Sequence, residues 1–490
     1  MVEAKKILSQ LEYEHISETV DRINVVNIVD DSRKVKEGSI FVAVKGYAID
    51  GHEFIEEAVN KGAIAVVGEE SLNHLTVPYI KVKSSRKALG ELAKQFYDNP
   101  LKGKTVIGVT GTNGKTTTSH LIHYLLEQSN MNTSLIGTAN CIINSTVYEN
   151  AQTTPSVLEL YKHFYNSKDD VIVIEVSSHG LAQHRLAGVE FDYAVFTNLT
   201  YEHLDYHESM EDYYQVKKKL FNQLKSHGQA VVNVDNEWGA RLCRELNAKD
   251  LNCTGVGKQL SSNVVMKDLV SVGEPSVTVH YKHKSYQLNW QMLGIHNLYN
   301  LALAYTTVDL IVKSPAQLKE IVSNFPGVPG RFEQSKLPTG SKVVVDYAHT
   351  PDAVKEVLLT INEAKPNKLI HVLAFKANRD ESKREDMVKH SLEQSDLTIL
   401  TTGDLDHLTE NEMNEELHKY QIEFGSDQIK VLTGRVSAIK EAVLKAEEGD
   451  WVVITGQGHK SYQQSNELNT NTDQETIDYL KKLLSVEQSY

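Results

Sequence analysis

Ten residues constrain this chain more than any others: Gly-Val-Thr-Gly-Thr-Asn-Gly-Lys-Thr-Thr, Gly108–Thr117. The β-branched run Thr105–Thr110 reads as a buried strand, and the helical spacing of Leu121, Ile122, Leu125 and Leu126 reads as a helix just after it. Strand, glycine turn and helix is the context in which such a loop holds phosphate. Gly111 and Gly114 let the backbone curl so that successive N–H groups face one point, and the helix N-terminus adds its positive dipole end. Lys115 is placed to reach the β- and γ-phosphates, and the Thr116 hydroxyl to help hold Mg²⁺. Gly111, Thr112, Asn113, Gly114, Lys115, Thr116 and Thr117 are the expected cradle. The bland alternative is a glycine-rich turn without a ligand. The motif implies a nucleoside triphosphate and does not separate kinase, ligase or motor.

At 490 residues the chain has room for about three domains. Residues 1–100 read as a first α/β unit, with strands at Ser39–Gly46 and Ala63–Gly68, a helix at His52–Ala63, and a helix after Ser84 that stops near Asp98-Asn99-Pro100. Residues 101–330 form the unit around the phosphate loop, with short apolar runs at Val171–Val176, Tyr193–Phe196 and Val231–Val234 typical of a parallel sheet covered on both faces. The cluster Phe325–Arg331, FPGVPGR, marks a boundary. Residues 331–490 read as a doubly wound sheet with strands at Lys342–Tyr347, Leu369–Phe375, Leu397–Thr402 and Trp451–Gly456. The expected fold class is α/β: three consecutive α/β domains, a central P-loop ATPase-like sheet and a C-terminal Rossmann-like domain.

Composition excludes several classes. Lys and Arg number 51 against 65 Asp and Glu, a net charge of −14, which argues against a nucleic-acid binder with a basic face. No apolar run approaches the ~20 residues that span a bilayer, so membrane insertion is not expected. The N-terminus lacks the apolar stretch of a signal peptide. Cys141, Cys243 and Cys253 have no CxxC spacing, so neither a disulfide framework nor a zinc site is expected, and a reducing, cytoplasmic setting fits.

Three further segments carry chemistry. Glu175 ends a buried strand, where the ligand crevice of an open α/β sheet lies, and a carboxylate near a phosphate loop is a natural Mg²⁺ ligand. A cap or salt bridge is an equal alternative on spacing alone. The stretch Thr197–His207 places His203, His207 and two carboxylates in a loop after a strand, which reads equally as a site or as a polar loop. Lys217 lies among Lys218 and Lys219 on what reads as a solvated helix face, and spacing alone does not single it out.

These motifs, in this order, resemble the Mur ligases nearly end to end, and within them the members that form the tripeptide precursor. Asp31-Ser-Arg33, Gly38–Gly46, Asp50-Gly-His52 and Lys61-Gly-Ala63 resemble the family's uridine-nucleotide-binding domain. The phosphate loop, Thr153-Thr-Pro155, Glu175–Arg185, Phe196–His207 and the Lys217 segment resemble its ATPase domain. Leu293–Asn300, Gly327–Glu333, Asp346–Ala353, Arg379-Asp380, Lys383-Arg384 and Gly456–Gln463 continue the likeness. The resemblance implies an ATP-dependent, ADP-forming acid–amino-acid ligase of cell-wall precursor synthesis, working through an acyl phosphate on UDP-MurNAc-L-Ala-D-Glu, as a cytoplasmic monomer. It implies that Lys115, Glu175, His203 and Lys217 are catalytic, that Thr116, Glu175, His203 and a carbamylated Lys217 hold Mg²⁺, and that Asn297, Arg331 and Asp346 meet the adenine, phosphates and ribose. It places Ser32 on the uridine and Thr153, Thr154, Ser177, Gln183 and Arg185 on the muramoyl peptide. Arg384, Asp404, His407, Gly456 and Lys460 fall where the family reads its amino acid.

The chain departs from the family there. The usual Asp-Asn-Pro-Arg is Asp404-Leu-Asp-His407, and the usual Gly-Lys-Gly-His-Glu is Gly456-Gln-Gly-His-Lys460. Glu202 replaces an Asp, His296 an aromatic residue, and a glycine pair before Arg379-Asp380 is missing. A lysine in place of that glutamate would repel a substrate ammonium, since two unit charges at ~4 Å interact by roughly 4 kcal/mol at an effective dielectric of 20. An amino acid other than diaminopimelate is therefore expected, unless Lys460 points to solvent. Two other readings stay open: a relative that acts on a different carboxylate in specialised metabolism, and a non-catalytic nucleotide-binding regulator.

Overall fold

The computed structural model describes residues 2–17, 24–46, 49–72, 75–148, 152–202, 206–375, 383–405, 408–425, 427–464 and 466–487. Three mixed α/β units follow one another, each built on its own sheet.

The first sheet has five strands in the spatial order His15–Ile16, Tyr79–Lys81, Ala63–Gly68, Ser39–Val42, Asn27–Val29, parallel except at the first pair. Helix Ser85–Phe96 buries Leu89, Leu92 and Ala93 at helical spacing, and the Ser84 hydroxyl caps it by accepting from the Lys87 N–H.

The second sheet has eleven strands, and its centre fixes the site. Thr105–Thr110 lies between Val171–Glu175 and Phe191–Phe196, all parallel. Val171–Glu175 is buried along its whole length, as a strand covered on both faces must be. The far side continues through Leu224–Asn233 and Asn252–Gly257 into the antiparallel strands Val264–Val270, Ser276–Tyr281 and Lys284–Asn289. Helix Ile295–Val312 is apolar nearly all round, so it is buried, and it packs on helix Lys115–Glu127 that follows the glycine turn.

The third sheet has the order Glu333–Lys336, Lys342–Val345, Trp451–Thr455, Leu369–Phe375, Leu397–Thr402, Ile429–Val431, parallel except at the first pair. Helices Arg435–Lys445 and Asp473–Glu487 cover one face through Ile439, Val443, Ile477 and Leu480. Helices Pro351–Glu363 and Arg384–Gln394 cover the other.

One expectation is corrected. Cys243 and Cys253 are joined as a disulfide, with Cα atoms 5.8 Å apart. Helix Glu237–Asn247 turns straight back into strand Asn252–Gly257, which brings two residues only ten apart in sequence to bonding distance. Cys141 is free and buried. Among the described residues, no helix is long and apolar enough to cross a membrane.

Candidate active site

The glycine turn is shaped by its neighbours. Gly111 has φ +153, and a Cβ there would lie 1.9 Å from Thr197 Oγ1; Gly114 has φ +81, and a Cβ there would lie 2.2 Å from Asn300 Oδ1. Only glycine fits either position. Helix Lys115–Glu127 starts at Gly114 without a side-chain cap, so its first N–H groups are left for an anion.

Two lysines converge on this turn. Lys115 Nζ donates to Gly111 O at 3.0 Å and to Thr112 O at 2.8 Å, folded back on the loop it would leave to meet a phosphate. Lys217 Nζ donates to the same Gly111 O at 2.7 Å. Lys217 is not on a solvated face: it is 1% exposed, with Nζ 4.5 Å over the Tyr213 ring. Burial pushes its ammonium well below the usual lysine range; the Lys115 charge adds to this and Glu202 opposes it. Burial likewise lowers Lys115, against the pull of Glu175 and Glu202. Tyr213 in turn accepts from the Thr112 hydroxyl at 3.3 Å and stacks on the His207 ring at 4.7 Å between centroids. His207 Nδ1 faces Asp212 Oδ2 at 3.2 Å.

Glu175, 1% exposed, lies across the turn. Its Oε1 accepts from Thr116 Oγ1 at 2.9 Å and Thr138 Oγ1 at 3.0 Å, and its Oε2 from the Thr138 N–H at 2.8 Å. A hydroxyl and a carboxylate side by side are hard oxygen donors, which suits Mg²⁺. The same carboxylate leads outward to the expected peptide-binding residues. Thr138 Oγ1 meets Thr153 Oγ1 at 2.9 Å, and Thr154 Oγ1 donates to Glu175 O at 2.8 Å. The Ser177 N–H donates to Thr154 Oγ1 at 3.0 Å, and Arg185 Nη1 to Thr154 O at 2.6 Å. Arg185 Nε and Nη2 hold Gln183 Oε1 at 3.1 and 2.8 Å.

The third unit reaches the turn through Arg331. Its Nη2 donates to Thr116 Oγ1 at 3.2 Å, its guanidinium lies 4.5 Å over the Tyr347 ring, and its buried Nε has no acceptor among the described residues. Asp346 accepts from the Phe332 and Ala348 N–H groups at 2.7 Å each; burial raises its carboxyl above the usual range while Arg331 opposes. Asn297 is buried, donates to Leu293 O at 2.8 Å and accepts from Asn300 Nδ2 at 3.2 Å, and Asn300 packs against Gly114.

The remaining expected residues lie apart from this cluster. Ser32 is buried in the first unit and donates to Glu57 Oε2 at 3.1 Å. Buried Arg384 pairs with Glu416. Asp404 Oδ1 accepts from Gln457 Nε2 at 2.7 Å. A Cβ at Gly456 would meet Ala374 O at 2.8 Å. Lys460 is exposed, with Nζ 5.9 Å over Tyr347, and does not line the cavity beside Asp404 and Gln457. His203, His407 and Arg379-Asp380 lie outside the described residues.

Sequence reasoning missed Thr138 and Tyr213 as parts of these sites. Tyr213 stands one helical turn before Lys217, a spacing that would have paired them. Thr138 has no such signal.

Comparison with known proteins gives the same answer along the chain. Residues 24–97 match the model of the Mur ligase family catalytic domain, 109–308 the Mur ligase middle domain, and 330–458 the Mur ligase glutamate ligase domain. A UDP-N-acetylmuramoyl-L-alanyl-D-glutamate–2,6-diaminopimelate ligase of Parabacteroides distasonis is 34% identical over 96% of each chain. One of the same name from Alkaliphilus metalliredigens is 37% identical over 91% of this chain and 90% of that one. A solved structure of an enzyme of that name superposes with TM-score 0.70 and 28% identity, covering 99% of both chains. The MurF ligase of Thermotoga maritima with ADP shares the fold, at TM-score 0.63 and 20% identity over 95% of this chain and 99% of that one. The chain belongs to the Mur ligase family of ATP-dependent, ADP-forming amide ligases.

Proposed function

We propose that this enzyme joins an amino acid to UDP-N-acetylmuramoyl-L-alanyl-D-glutamate. The carrying observation is that Lys115, Thr116, Glu175 and buried Lys217 meet at one glycine turn. Residues 1–100 bind the uridine nucleotide through Ser32, residues 101–330 bind ATP and the muramoyl peptide, and residues 331–490 bring the amino acid. Gly111–Thr117 take the phosphates, with Asn297, Arg331 and Asp346 on the rest of the nucleotide. Thr153, Thr154, Ser177, Gln183 and Arg185 hold the peptide, which fits their unbroken hydrogen-bonded path to Glu175.

The peptide carboxylate attacks the γ-phosphorus, ADP leaves, and an acyl phosphate forms. Two anions must meet, so Lys115, Arg331 and the loop amides neutralise them. Thr116, Glu175, His203 and Lys217 would hold Mg²⁺, which supplies charge neutralisation on the phosphates. The amino group then attacks the acyl carbon and phosphate departs. The Arg331–Thr116 contact, joining the third unit to the loop, fits a closure that keeps water from the acyl phosphate.

Lys217 serves as a carbamate. A neutral amine attacks CO₂, the N–C bond forms, a proton is lost, and a carboxylate-like ligand results. Its burial favours the neutral amine this step needs. The reaction belongs in the cytoplasm, where ATP is made available, and the enzyme acts as a monomer.

The relatives' names make 2,6-diaminopimelate the first amino acid to test. The Asp404–His407 and Gly456–Lys460 departures are the reason to test others beside it; exposure of Lys460 weakens the repulsion argument and leaves Gln457, which stands where the family has a lysine and donates to the retained Asp404, as the altered contact. Phosphate release is measured with ATP, Mg²⁺, UDP-MurNAc-L-Ala-D-Glu and a panel of amino acids. Release that needs both the nucleotide peptide and an amino acid supports the reading. Release with another carboxylate in place of the nucleotide peptide, and none with it, overturns it in favour of a specialised ligase.

A further inference from the structure

Arg331 and His120 are fastened to the same residue from different units. Arg331, from the third unit, donates Nη2 to Thr116 Oγ1 at 3.2 Å. His120 stands one turn past Thr116 on helix Lys115–Glu127, and its Nδ1 faces Thr116 O at 2.9 Å.

Each of the two side chains keeps one buried group unmade among the described residues: Arg331 Nε and His120 Nε2. The two groups are complementary. A carbonyl only accepts, so His120 Nδ1 carries the ring proton, and Nε2 is left with a lone pair. Arg331 Nε can only donate. Burial holds the imidazole at about 4, opposed by the Thr116 carbonyl and Glu175 and aided by the charges of His123 and Arg331, so the ring is neutral near pH 7. His120 is 8% exposed, and buried donors and acceptors are rarely left unmade without a reason.

The segment that delivers Arg331 is laid along the helix that carries His120. Thr116, His120 and Tyr124 recur every four residues and share one helix face. Tyr124 donates its hydroxyl to Asn324 O at 3.0 Å and meets the Phe325 ring edge-on at 5.3 Å. Trp290 stacks on Phe325 at 5.3 Å. The segment from Asn324 to Arg331 is therefore anchored on this face at both ends, at Tyr124 and at Thr116, and His120 lies between the anchors.

We propose that His120 is a positioning residue for Arg331: when the guanidinium turns its Nη groups to the phosphates of the nucleotide, its Nε–H donates to His120 Nε2. That bond fixes the guanidinium plane and leaves both Nη groups for phosphate oxygens, the geometry in which arginine binds them best. It also couples nucleotide binding to the seating of the third unit. The proposal rests on the reading above only in taking Arg331 as a phosphate contact.

The test measures binding of a non-hydrolysable ATP analogue by calorimetry, and kcat/KM for ATP, with thermal unfolding beside them. It uses the full-length enzyme, His120→Leu and His120→Gln, and both changes again in an Arg331→Lys background. His120→Leu should weaken the analogue and lower kcat/KM by about tenfold or more, the scale of a lost bond to a charged group. His120→Gln, whose amide oxygen still accepts, should keep most of both. Arg331→Lys removes Nε, so in that background the Leu and Gln variants should bind alike. Losses that multiply in the double variants, or a Gln variant as poor as the Leu variant, would show that His120 acts through packing alone and overturn the proposal. If His120→Leu does not fold, a crystal structure of the wild type with the analogue decides. Arg331 Nε within about 3.2 Å of His120 Nε2 supports the pairing, and Nε bonded elsewhere overturns it. Failure of the ligase reading is separate: the wild type would then bind the analogue and ligate no amino acid to the nucleotide peptide, and the analogue data would still judge the pairing.

Discussion

Lys115 and Lys217 donate to a single carbonyl oxygen, that of Gly111, at 3.0 and 2.7 Å. Two ammonium groups held so close would repel by roughly 3 kcal/mol at an effective dielectric of 20. Burial relieves this by pushing the Lys217 ammonium well below the usual lysine range, which favours the neutral amine. The same burial would make it a nucleophile toward CO₂ and useless as a plain cation. Lys217→Met is therefore expected to lower ligation by about a hundredfold or more, the scale of losing one electrostatic group in a closed site. Its unfolding temperature should hold or rise, because an apolar side chain replaces a buried amine. Assays in CO₂-depleted buffer should lower wild-type activity and leave the variant's residual activity unchanged, and intact-protein mass spectrometry at neutral pH should find one CO₂ on the wild type.

Glu175 accepts three hydrogen bonds from Thr116 and Thr138 and faces the glycine turn. Glu175→Gln keeps the shape and removes the charge. Ligation should fall about a hundredfold or more and respond less to Mg²⁺ concentration, with the fold intact by circular dichroism. A variant with normal Mg²⁺ dependence would remove Glu175 from the metal site.

Arg331 connects the third unit to Thr116 at 3.2 Å. Arg331→Ala should raise the KM for ATP and lower kcat, together by about ten- to a hundredfold. Loss of its stacking on Tyr347 costs only about 0.5–1 kcal/mol of stability. Steady-state kinetics beside thermal unfolding separates the two effects.

His296 gives a pH prediction with a definite sign. Burial holds its imidazole at about 4, below the ordinary 6.5. The native state then prefers the neutral ring, and the unfolded chain binds the extra proton. The stability this provides is present in full above pH 6.5 and is lost as pH falls toward 4, up to about 3 kcal/mol. His296→Phe should flatten the acid limb of a stability–pH curve in that window, measured by denaturant unfolding. An unchanged limb would remove His296 as its source and leave the other buried imidazoles, His120 at about 4 and His371 at about 3.

The parts legible in the sequence were those with local signatures. Strands Thr105–Thr110, Leu369–Phe375 and Leu397–Thr402 stand where their apolar runs put them, and the glycine turn sits between strand and helix as its residues require. Long-range placement was not legible. Lys217 reads as one of three lysines on a wet face, because the one-turn spacing that pairs it with Tyr213 does not say that the distant Gly111 turn will close over both. The antiparallel strands Val264–Asn289 carry weak alternation and polar edges, so no strong period marks them. Cys243 and Cys253 meet only because a helix reverses into a strand. Lys460 was read from its alignment with a family glutamate, and its side chain instead lies out over Tyr347.

The most direct measurement is a crystal structure with a non-hydrolysable ATP analogue and Mg²⁺. The phosphates should sit within the Gly111–Thr116 turn, Lys115 Nζ should have left the Gly111 and Thr112 carbonyls for them, and a carbamate on Lys217 should face the cation beside Glu175. An analogue bound elsewhere, with Lys217 a bare amine distant from any cation, would contradict the account.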